Sequence, residues 1–140
     1  KLAIKEIKKV KVSDVELKLK GKSYTYNTIK ELKEVYPHEF YLIMGSDLLK
    51  DIKKWYRYEE LVKEVRFILM KRPGYSIKFE DKLKVAYSTE NEISEISSTN
   101  VRNRIKNGES IKNFVHENVE KYIFEGGLYT NGIQKSSVDN

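Results

Sequence analysis

Cysteine is absent from the 140 residues of this sequence, which excludes disulfide scaffolds, thiolate zinc sites and thiol nucleophiles. No apolar run approaches the roughly 20 residues that a membrane-spanning helix needs, so we expect no membrane partner. The absence of cysteine favours a reducing compartment, and we predict a cytoplasmic location. Hydrophobic residues make up 39% of the chain and charged residues 34%, which is typical of a folded domain and not of a disordered tract.

The net charge of +6 is concentrated at the beginning of the chain. Residues 1–22 carry eight lysines against three acidic residues, so the remainder of the chain is nearly neutral. Because lysine alternates with valine or leucine before residue 20, we predict a half-exposed strand near residues 9–19 and interpret the lysines as its solvated face. A site for polyanions is the alternative interpretation.

Apolar periodicity predicts strands that alternate with helices after residue 22. Apolar residues at helical spacing predict a helix over residues 25–36, which Pro37 ends. Continuous apolar runs at residues 40–44 and 66–70 predict strands buried on both faces of a parallel sheet. The other predicted elements are a loop at 45–47, short helices at 48–54 and 59–65, a weaker strand at 83–87, a helix through Val101 and Ile105 that Gly108 stops, and amphipathic turns over 111–123. This order indicates an α/β fold with a mostly parallel sheet.

Three polar or glycine-bearing segments follow the predicted strands, where the ligands of such sheets bind. They are residues 45–47, 72–74 and 97–99. The hydroxyls of residues 97–99 open a predicted helix, where they cap free N–H groups, and those same N–H groups also bind anions. Arg102, about one turn inside the helix, adds a bidentate donor that points back toward the same end. A helix cap and a phosphate site are therefore both open interpretations.

Other polar and aromatic residues also have both a functional and a structural interpretation. Asp47 either accepts hydrogen bonds from ribose hydroxyls or caps the following helix. Trp55, which lies beside Tyr56 and Tyr58, either stacks on a flat ligand or completes the core. The hydroxyls of residues 23–28 act either as a helix cap or as donors to a carboxylate.

The two histidines indicate no metal centre. His38 and His116 are too far apart in the sequence for metal-ligand spacing, and we expect each to be a surface or hydrogen-bonded residue. The sequence has no Walker loop, no GxGxxG and no nucleophile elbow. We therefore predict no metal-binding residues.

Taken in order, these segments resemble the nicotinate-nucleotide adenylyltransferase family from about Val12 to Tyr129. The matching segments are SYTYNT at 23–28, GSD at 45–47 followed by Trp55, RPG at 72–74, ISSTNVR at 96–102, GESI at 108–111 and VEKYI at 119–123 with LY at 128–129. Each segment is a weak signal alone, but their occurrence together and in register is a strong one. His116 occupies a position where the family usually has proline.

The resemblance implies transfer of AMP from ATP to nicotinate mononucleotide, with magnesium, giving deamido-NAD and pyrophosphate. It implies an ATP site formed by Gly45, Asp47, Ile96, Ser97, Ser98, Thr99 and Arg102, with Ser98 and Arg102 as the catalytic residues. The hydroxyls and Arg102 would hold phosphates, and Gly45 and Asp47 would meet the ribose. It implies a nicotinate-nucleotide site formed by Ser23, Tyr24, Thr25, Trp55, Tyr56 and Arg72. There, Trp55 would stack on the pyridine ring, and Thr25 and the Tyr56 backbone would approach the carboxylate.

The family's N-terminal strand, glycine-rich turn and HxGH motif do not occur in these 140 residues. We therefore expect a Rossmann-like sheet of the nucleotidyltransferase type that lacks this strand and motif. We expect residues 1–129 to be a partial nucleotidyltransferase domain and residues 130–140 a polar tail or linker. The first residue is Lys1 and not methionine, so we expect the sequence to begin inside a longer enzyme. We therefore expect residues 1–140 alone to be inactive.

Two alternatives to this activity stay open. The first is a related nucleotidyltransferase that uses nicotinamide mononucleotide or another acceptor. The second is a non-catalytic module that binds nucleotides or RNA through lysines and tyrosines. We do not expect a nucleic-acid partner, because the lysine excess and the Trp55 cluster lie on separate elements. Association of the chain with itself is left open.

Overall fold

The structure is a computed structural model that describes residues 1–19, 21–79, 82–91 and 96–130. The chain divides into two compact units, one formed by residues 13–95 and the other by residues 1–12 and 96–140. Of the predicted tail at 130–140, only Thr130 lies within the described residues.

A parallel three-stranded sheet organises the larger unit, which confirms the predicted α/β fold class. Its order is β1-β2-β3, and Tyr41 lies opposite Arg66 while Gly45 lies opposite Met70. Parallel neighbours need a crossover connection, and between β1 and β2 a 3-10 helix and α3 provide it. The elements of this unit are α1 (Val15–Lys18), α2 (Thr25–Val35), β1 (Tyr41–Gly45), the 3-10 helix Ser46–Lys54, α3 (Tyr58–Glu64), β2 (Arg66–Met70) and β3 (Val85–Ser88).

The core of the larger unit is centred on the middle strand. Phe67 and Leu69 of β2 are fully buried, as two residues that share one face of a strand must be when that face meets the core. Helices α2 and α3 pack against each other beside them. The buried residues of this cluster are Tyr26, Ile29, Met44, Ile52, Tyr58, Leu61, Val62, Val65, Phe67, Leu69 and Leu83.

The prediction that β1 is buried on both faces is wrong for the described residues. Met44 is buried and Leu42 is half-buried, whereas Tyr41 and Ile43 are exposed, Ile43 at 65%. Strand β1 lies at an edge of the described sheet, and alternate side chains point to opposite faces. An apolar run alone does not reveal whether one face or both faces are covered.

The predicted strand near residues 9–19 is also wrong. Residues 15–18 form the short helix α1, in which Lys18 Nζ lies 2.9 Å from Asp14 Oδ1. The side chain of Leu17 is 89% exposed, so the apolar residues of this segment do not share a buried face. The lysines of residues 1–22 that the structure describes are all exposed, which agrees with the solvated interpretation.

Most of the other predicted elements are confirmed within a few residues. Helices α2 and α3 and strands β2 and β3 lie where periodicity predicts them. The predicted loop at 45–47 is wrong in part, because Ser46 and Asp47 already open the 3-10 helix that continues to Lys54. Glycine and serine signalled a turn there, and the turn is the first turn of that helix.

The smaller unit consists mainly of two helices, α4 (Ser98–Lys106) and α5 (Glu117–Glu125). A short 3-10 helix, Leu2–Ile4, packs against α5. Gly108, at φ +71°, follows α4 in the left-handed region that favours glycine. The buried residues of this unit are Val101, Ile105, Ile111 and Ile123. Within the part of the chain that the structure describes, no helix is long and apolar enough to span a membrane.

The two faces of the sheet predict different costs for truncating strand residues. Leu69→Ala should lower the free energy of unfolding by about 2–5 kcal/mol, because it leaves a cavity in the core. The matched variant Ile43→Ala should change it by about 0.5 kcal/mol or less. Urea unfolding followed by circular dichroism measures both values. Similar costs at the two positions would contradict the one-sided burial of β1.

Candidate functional site

An aromatic cavity lies between the start of α2 and the segment that follows the 3-10 helix Ser46–Lys54. Its volume is about 270 Å³. The residues that line it are Lys22, Ser23, Tyr24, Thr25, Lys54, Trp55 and Tyr56. The structure thus brings together all but one of the residues predicted for a nicotinate-nucleotide site. The exception is Arg72, which is not among the lining residues.

Stacked tyrosines form one wall of this aromatic cavity. The rings of Tyr24 and Tyr56 are 4.4 Å apart and nearly parallel, at 28°. Tyr26, which is buried, meets Tyr56 edge-on at 6.4 Å. Trp55 is half-buried, and it packs against the core of the larger unit while it also lines the cavity. The two interpretations of Trp55 are therefore compatible.

Helix α2 begins beside the cavity without a side-chain cap. Its N-cap residue is Tyr24, whose side chain accepts no capping hydrogen bond. Thr28 Oγ1 instead donates to Glu16 Oε1 at 2.8 Å, which ties α2 to α1. The interpretation of the hydroxyls at 23–28 as a helix cap is therefore wrong, because the N-cap position falls on a tyrosine between Ser23 and Thr25.

Arg57 holds the segment that carries Trp55 and Tyr56, and sequence reasoning missed it. Its backbone is left-handed, at φ 53° and ψ 45°, which is uncommon for a residue with a side chain. The guanidinium carbon lies 4.6 Å from the centroid of the Tyr26 ring, and Nε donates to Glu60 Oε1 at 3.0 Å. This hydrogen bond lowers the pKa of Glu60 below its usual value. In the sequence, the only indication of this role of Arg57 is its spacing of three residues from Glu60, which suits an ion pair within one helical turn.

A second group of residues lies at the carboxyl ends of β1 and β2. The backbone N–H of Arg72 donates to Ser46 Oγ at 2.9 Å, and Asp47 Oδ1 lies 3.9 Å from Arg72 Nε. Ser46 is buried, a burial that its place in the predicted loop at 45–47 did not indicate. The structure therefore brings the predicted residues Gly45, Asp47 and Arg72 close to one another, and the buried hydroxyl of Ser46 hydrogen-bonds to the backbone of Arg72.

Gly45 permits this close approach. A Cβ at Gly45 would collide with the Asp47 carboxylate and would lie 3.3 Å from Arg72 Cγ and Nε. The interpretation of Asp47 as a helix cap is wrong, because the N-cap position belongs to Gly45 and no side chain accepts a capping hydrogen bond there. The Asp47 carboxylate faces Arg72 instead.

In the smaller unit, the start of α4 has the predicted cap and the predicted orientation of arginine. Ser97 Oγ accepts a hydrogen bond from the backbone N–H of Asn100 at 3.1 Å, which confirms the capping interpretation. Arg102 Nη2 donates to Thr99 Oγ1 at 3.2 Å, so its guanidinium points back toward the N-terminus. Ser98 and Ile96 are exposed. The phosphate interpretation stays a prediction.

The histidines have ordinary structural surroundings. His116 is the N-cap of α5, and its Nδ1 accepts a hydrogen bond from the backbone N–H of Asn118 at 3.2 Å. His38 is exposed. These positions confirm the expectation for both side chains. Among the described residues, no three His, Asp or Glu side chains are grouped in a way that could hold a metal ion.

Comparisons with known proteins agree on one enzyme family. Residues 1–104 match the cytidylyltransferase-like family. A relative named "Probable nicotinate-nucleotide adenylyltransferase" from Oceanobacillus iheyensis is 40% identical over 132 residues, covering 91% of this chain and 66% of the relative. A relative of the same name from Fusobacterium nucleatum is 42% identical, covering 85% of this chain and 65% of the relative. The chain therefore spans slightly less than two thirds of the length of these relatives.

Solved structures agree with the sequence relatives. The nicotinic acid mononucleotide adenylyltransferase of Plasmodium falciparum complexed with NaAD aligns with a TM-score of 0.60 at 31% identity, covering 77% of this chain and 58% of that one. The same Plasmodium enzyme complexed with APC aligns with a TM-score of 0.61 at 30% identity, covering 79% and 60%.

The cap at α4 predicts unequal effects for two adjacent serines. Ser97→Ala should lower the free energy of unfolding by about 1 kcal/mol, because it removes the acceptor for the Asn100 N–H. Ser98→Ala, the matched control, should change it by less than about 0.5 kcal/mol. Thermal and urea unfolding provide the measurement. A larger loss for Ser98→Ala would show that Ser97 is not the cap that holds this helix.

Proposed function

We propose that the protein transfers AMP from ATP to nicotinate mononucleotide, because this chain belongs to the nicotinate-nucleotide adenylyltransferases of the cytidylyltransferase-like family. The Rossmann-like fold of the nucleotidyltransferase type is confirmed by the structures that align with it. The observation that carries the proposed function is the aromatic cavity, since five of its seven lining residues are among those assigned by resemblance to the nicotinate nucleotide. We include in this proposal that residues 1–129 form part of a nucleotidyltransferase domain.

The acceptor binds, in this proposal, in the aromatic cavity. Trp55 stacks on the pyridine ring, and the stacked pair of Tyr24 and Tyr56 forms a flat wall beside it. The start of α2 lies at the same cavity without a side-chain cap, so backbone N–H groups near Ser23 and Thr25 are suited to an anionic group such as the ring carboxylate. Arg72 does not line this cavity, so its place in the acceptor site rests on the resemblance alone.

ATP binds, in this proposal, through two sets of residues. Gly45 and Asp47 meet the adenosine ribose, because a carboxylate at the end of a parallel strand accepts hydrogen bonds from ribose hydroxyls. The start of α4 holds the phosphates through Ser97, Ser98, Thr99 and Arg102, with Ile96 beside them. The guanidinium of Arg102 points to this end of the helix, which supports its role as a donor to phosphate oxygens.

The reaction is an in-line displacement at the α-phosphorus of ATP. A phosphate oxygen of nicotinate mononucleotide forms the new bond to phosphorus, and the bond to the β,γ-pyrophosphate breaks, so pyrophosphate leaves with its electron pair. No covalent enzyme intermediate is needed. The roles proposed for this chain's residues are to bind the two nucleotides and to stabilise the transition state, to which Arg102 contributes positive charge and Ser98 a hydrogen-bond donor.

Nucleotidyltransferases of this family generally use a divalent metal ion with ATP, and we propose magnesium. The described residues provide no group of carboxylates and imidazoles that would enclose such an ion. Magnesium keeps several waters and is commonly held through substrate phosphates, so the nucleotide itself is the expected source of ligands. We assign no step to the ion. The cytoplasmic location likewise stays a prediction.

Binding of the acceptor tests this function directly. Trp55 is the only tryptophan of the chain and lines the cavity, so nicotinate mononucleotide should quench its fluorescence in a saturable way. Nicotinamide mononucleotide should bind on the order of tenfold more weakly, because a site built for a carboxylate discriminates against the amide. Calorimetry, which does not depend on fluorescence, measures binding to the wild type and to Trp55→Phe. It thereby controls for quenching that does not arise from binding in the cavity.

Two results of this experiment would count against the proposal. Equal or tighter binding of nicotinamide mononucleotide would favour a related enzyme with that acceptor. Absence of saturable binding, together with steeply salt-dependent binding of an oligonucleotide, would favour an RNA-binding module.

We expect Gly45→Ala to weaken ATP binding with little change in the free energy of unfolding. The backbone at Gly45, at φ −75°, suits alanine, so the free energy of unfolding should change by less than about 1 kcal/mol. The new Cβ displaces the Asp47 carboxylate, and loss of hydrogen bonds to a charged group should weaken ATP binding roughly tenfold or more. Calorimetric titration with ATP measures this, with Asp47→Asn as the parallel variant. Unchanged affinity in both would remove Asp47 from the ATP site.

A further inference from the structure

The aromatic cavity carries positive charge that the proposed roles do not use. No acidic side chain is among its lining residues, whereas two lysines, Lys22 and Lys54, are. The two lysines differ in their partners. Lys54 Nζ lies 2.6 Å from Asp51 Oδ1, so its charge is already compensated by a carboxylate one turn earlier in the 3-10 helix.

Lys22 is the lysine whose charge is not compensated. Its Nζ lies 5.3 Å from the centroid of the Tyr24 ring, and no carboxylate within the described part of the chain forms an ion pair with it. The attraction between an ammonium group and the face of an aromatic ring favours this position. Tyr24 also stacks on Tyr56, and Lys22, Tyr24 and Tyr56 all line this cavity. An uncompensated cation is therefore held at an aromatic wall.

We propose that Lys22 is a specificity-determining residue that selects an acceptor with a carboxylate on its aromatic ring over one with a carboxamide. This inference rests on the proposed function and deepens it. A carboxylate is negatively charged and would pair with the Lys22 ammonium. A carboxamide is neutral and gains no comparable Coulomb attraction.

The position of Lys22 favours the ring substituent over the phosphate of the acceptor. A ring that stacks within the cavity carries its carboxylate directly on the aromatic plane. The Lys22 ammonium lies over the ring of Tyr24, within the aromatic part of the cavity, whereas the phosphate of a mononucleotide is separated from its ring by the ribose. Lys22 is therefore placed to meet the ring carboxylate.

The test compares Lys22→Met with a charge-matched control, Lys30→Met. Lys30 is an exposed lysine of α2 that does not line the cavity, so the two variants lose the same charge from neighbouring parts of the larger unit. Affinities of the 140-residue chain for nicotinate mononucleotide and nicotinamide mononucleotide are measured by Trp55 fluorescence and by calorimetry. Urea unfolding verifies that each variant is folded.

We expect Lys22→Met to weaken nicotinate mononucleotide about fivefold, the change that an ion pair at a protein surface supplies, and to leave nicotinamide mononucleotide unchanged. Lys22→Arg should restore the preference, Lys30→Met should leave it intact, and added salt should reduce it. Equal losses for both nucleotides would mean that Lys22 meets the phosphate, and no loss for either would mean that it meets neither group. Each result overturns this inference alone. A wild-type chain that binds neither nucleotide would overturn the proposed function and, with it, the inference.

Discussion

The parallel pairing of β1 and β2 is the constraint on which the larger unit depends. Parallel strands end at the same edge, so Gly45 and Met70 lie side by side, and the chain leaves both strands toward one region. Arg72 then donates its N–H to the buried Ser46 hydroxyl, and its side chain meets Asp47. The pairing thus converts two distant sequence segments into one polar cluster, and the missing Cβ of Gly45 allows the cluster to close.

The same pairing determines where the aromatic cavity forms. A crossover from β1 to β2 must return to the start of the sheet, and here it consists of the 3-10 helix Ser46–Lys54 and α3. The chain turns between them at Arg57, whose left-handed backbone costs free energy. The contacts of Arg57 with Tyr26 and Glu60 offset this cost. Trp55 and Tyr56 therefore lie beside the start of α2 in a turn that the contacts of Arg57 with Tyr26 and Glu60 stabilise.

Apolar periodicity in the sequence predicts some of the buried side chains but not all of the exposed ones. The buried face of β2 and the register of α2 follow from local apolar patterns, because Phe67, Leu69 and Ile29 repeat at strand or helix spacing. The exposure of Ile43 does not follow, since an apolar run is the same whether one face or both are covered. The roles of Arg57 and Lys22 depend on rings that are near in space but on other elements, and no local pattern encodes that proximity.

The starts of α2 and α4 show why a hydroxyl-rich segment does not by itself identify a site. At α4, Ser97 satisfies one backbone N–H and Arg102 turns back to Thr99, so one serine has a structural task while Ser98 is exposed. At α2, the N-cap falls on Tyr24, which accepts no capping hydrogen bond, and the neighbouring Lys22 adds charge beside a flat wall. Capping and anion binding use the same N–H groups, and the position of one hydroxyl relative to the N-cap decides how many of them are left for a ligand. The two segments therefore have similar residues but different capacities, and α2 presents the more open end to an anion.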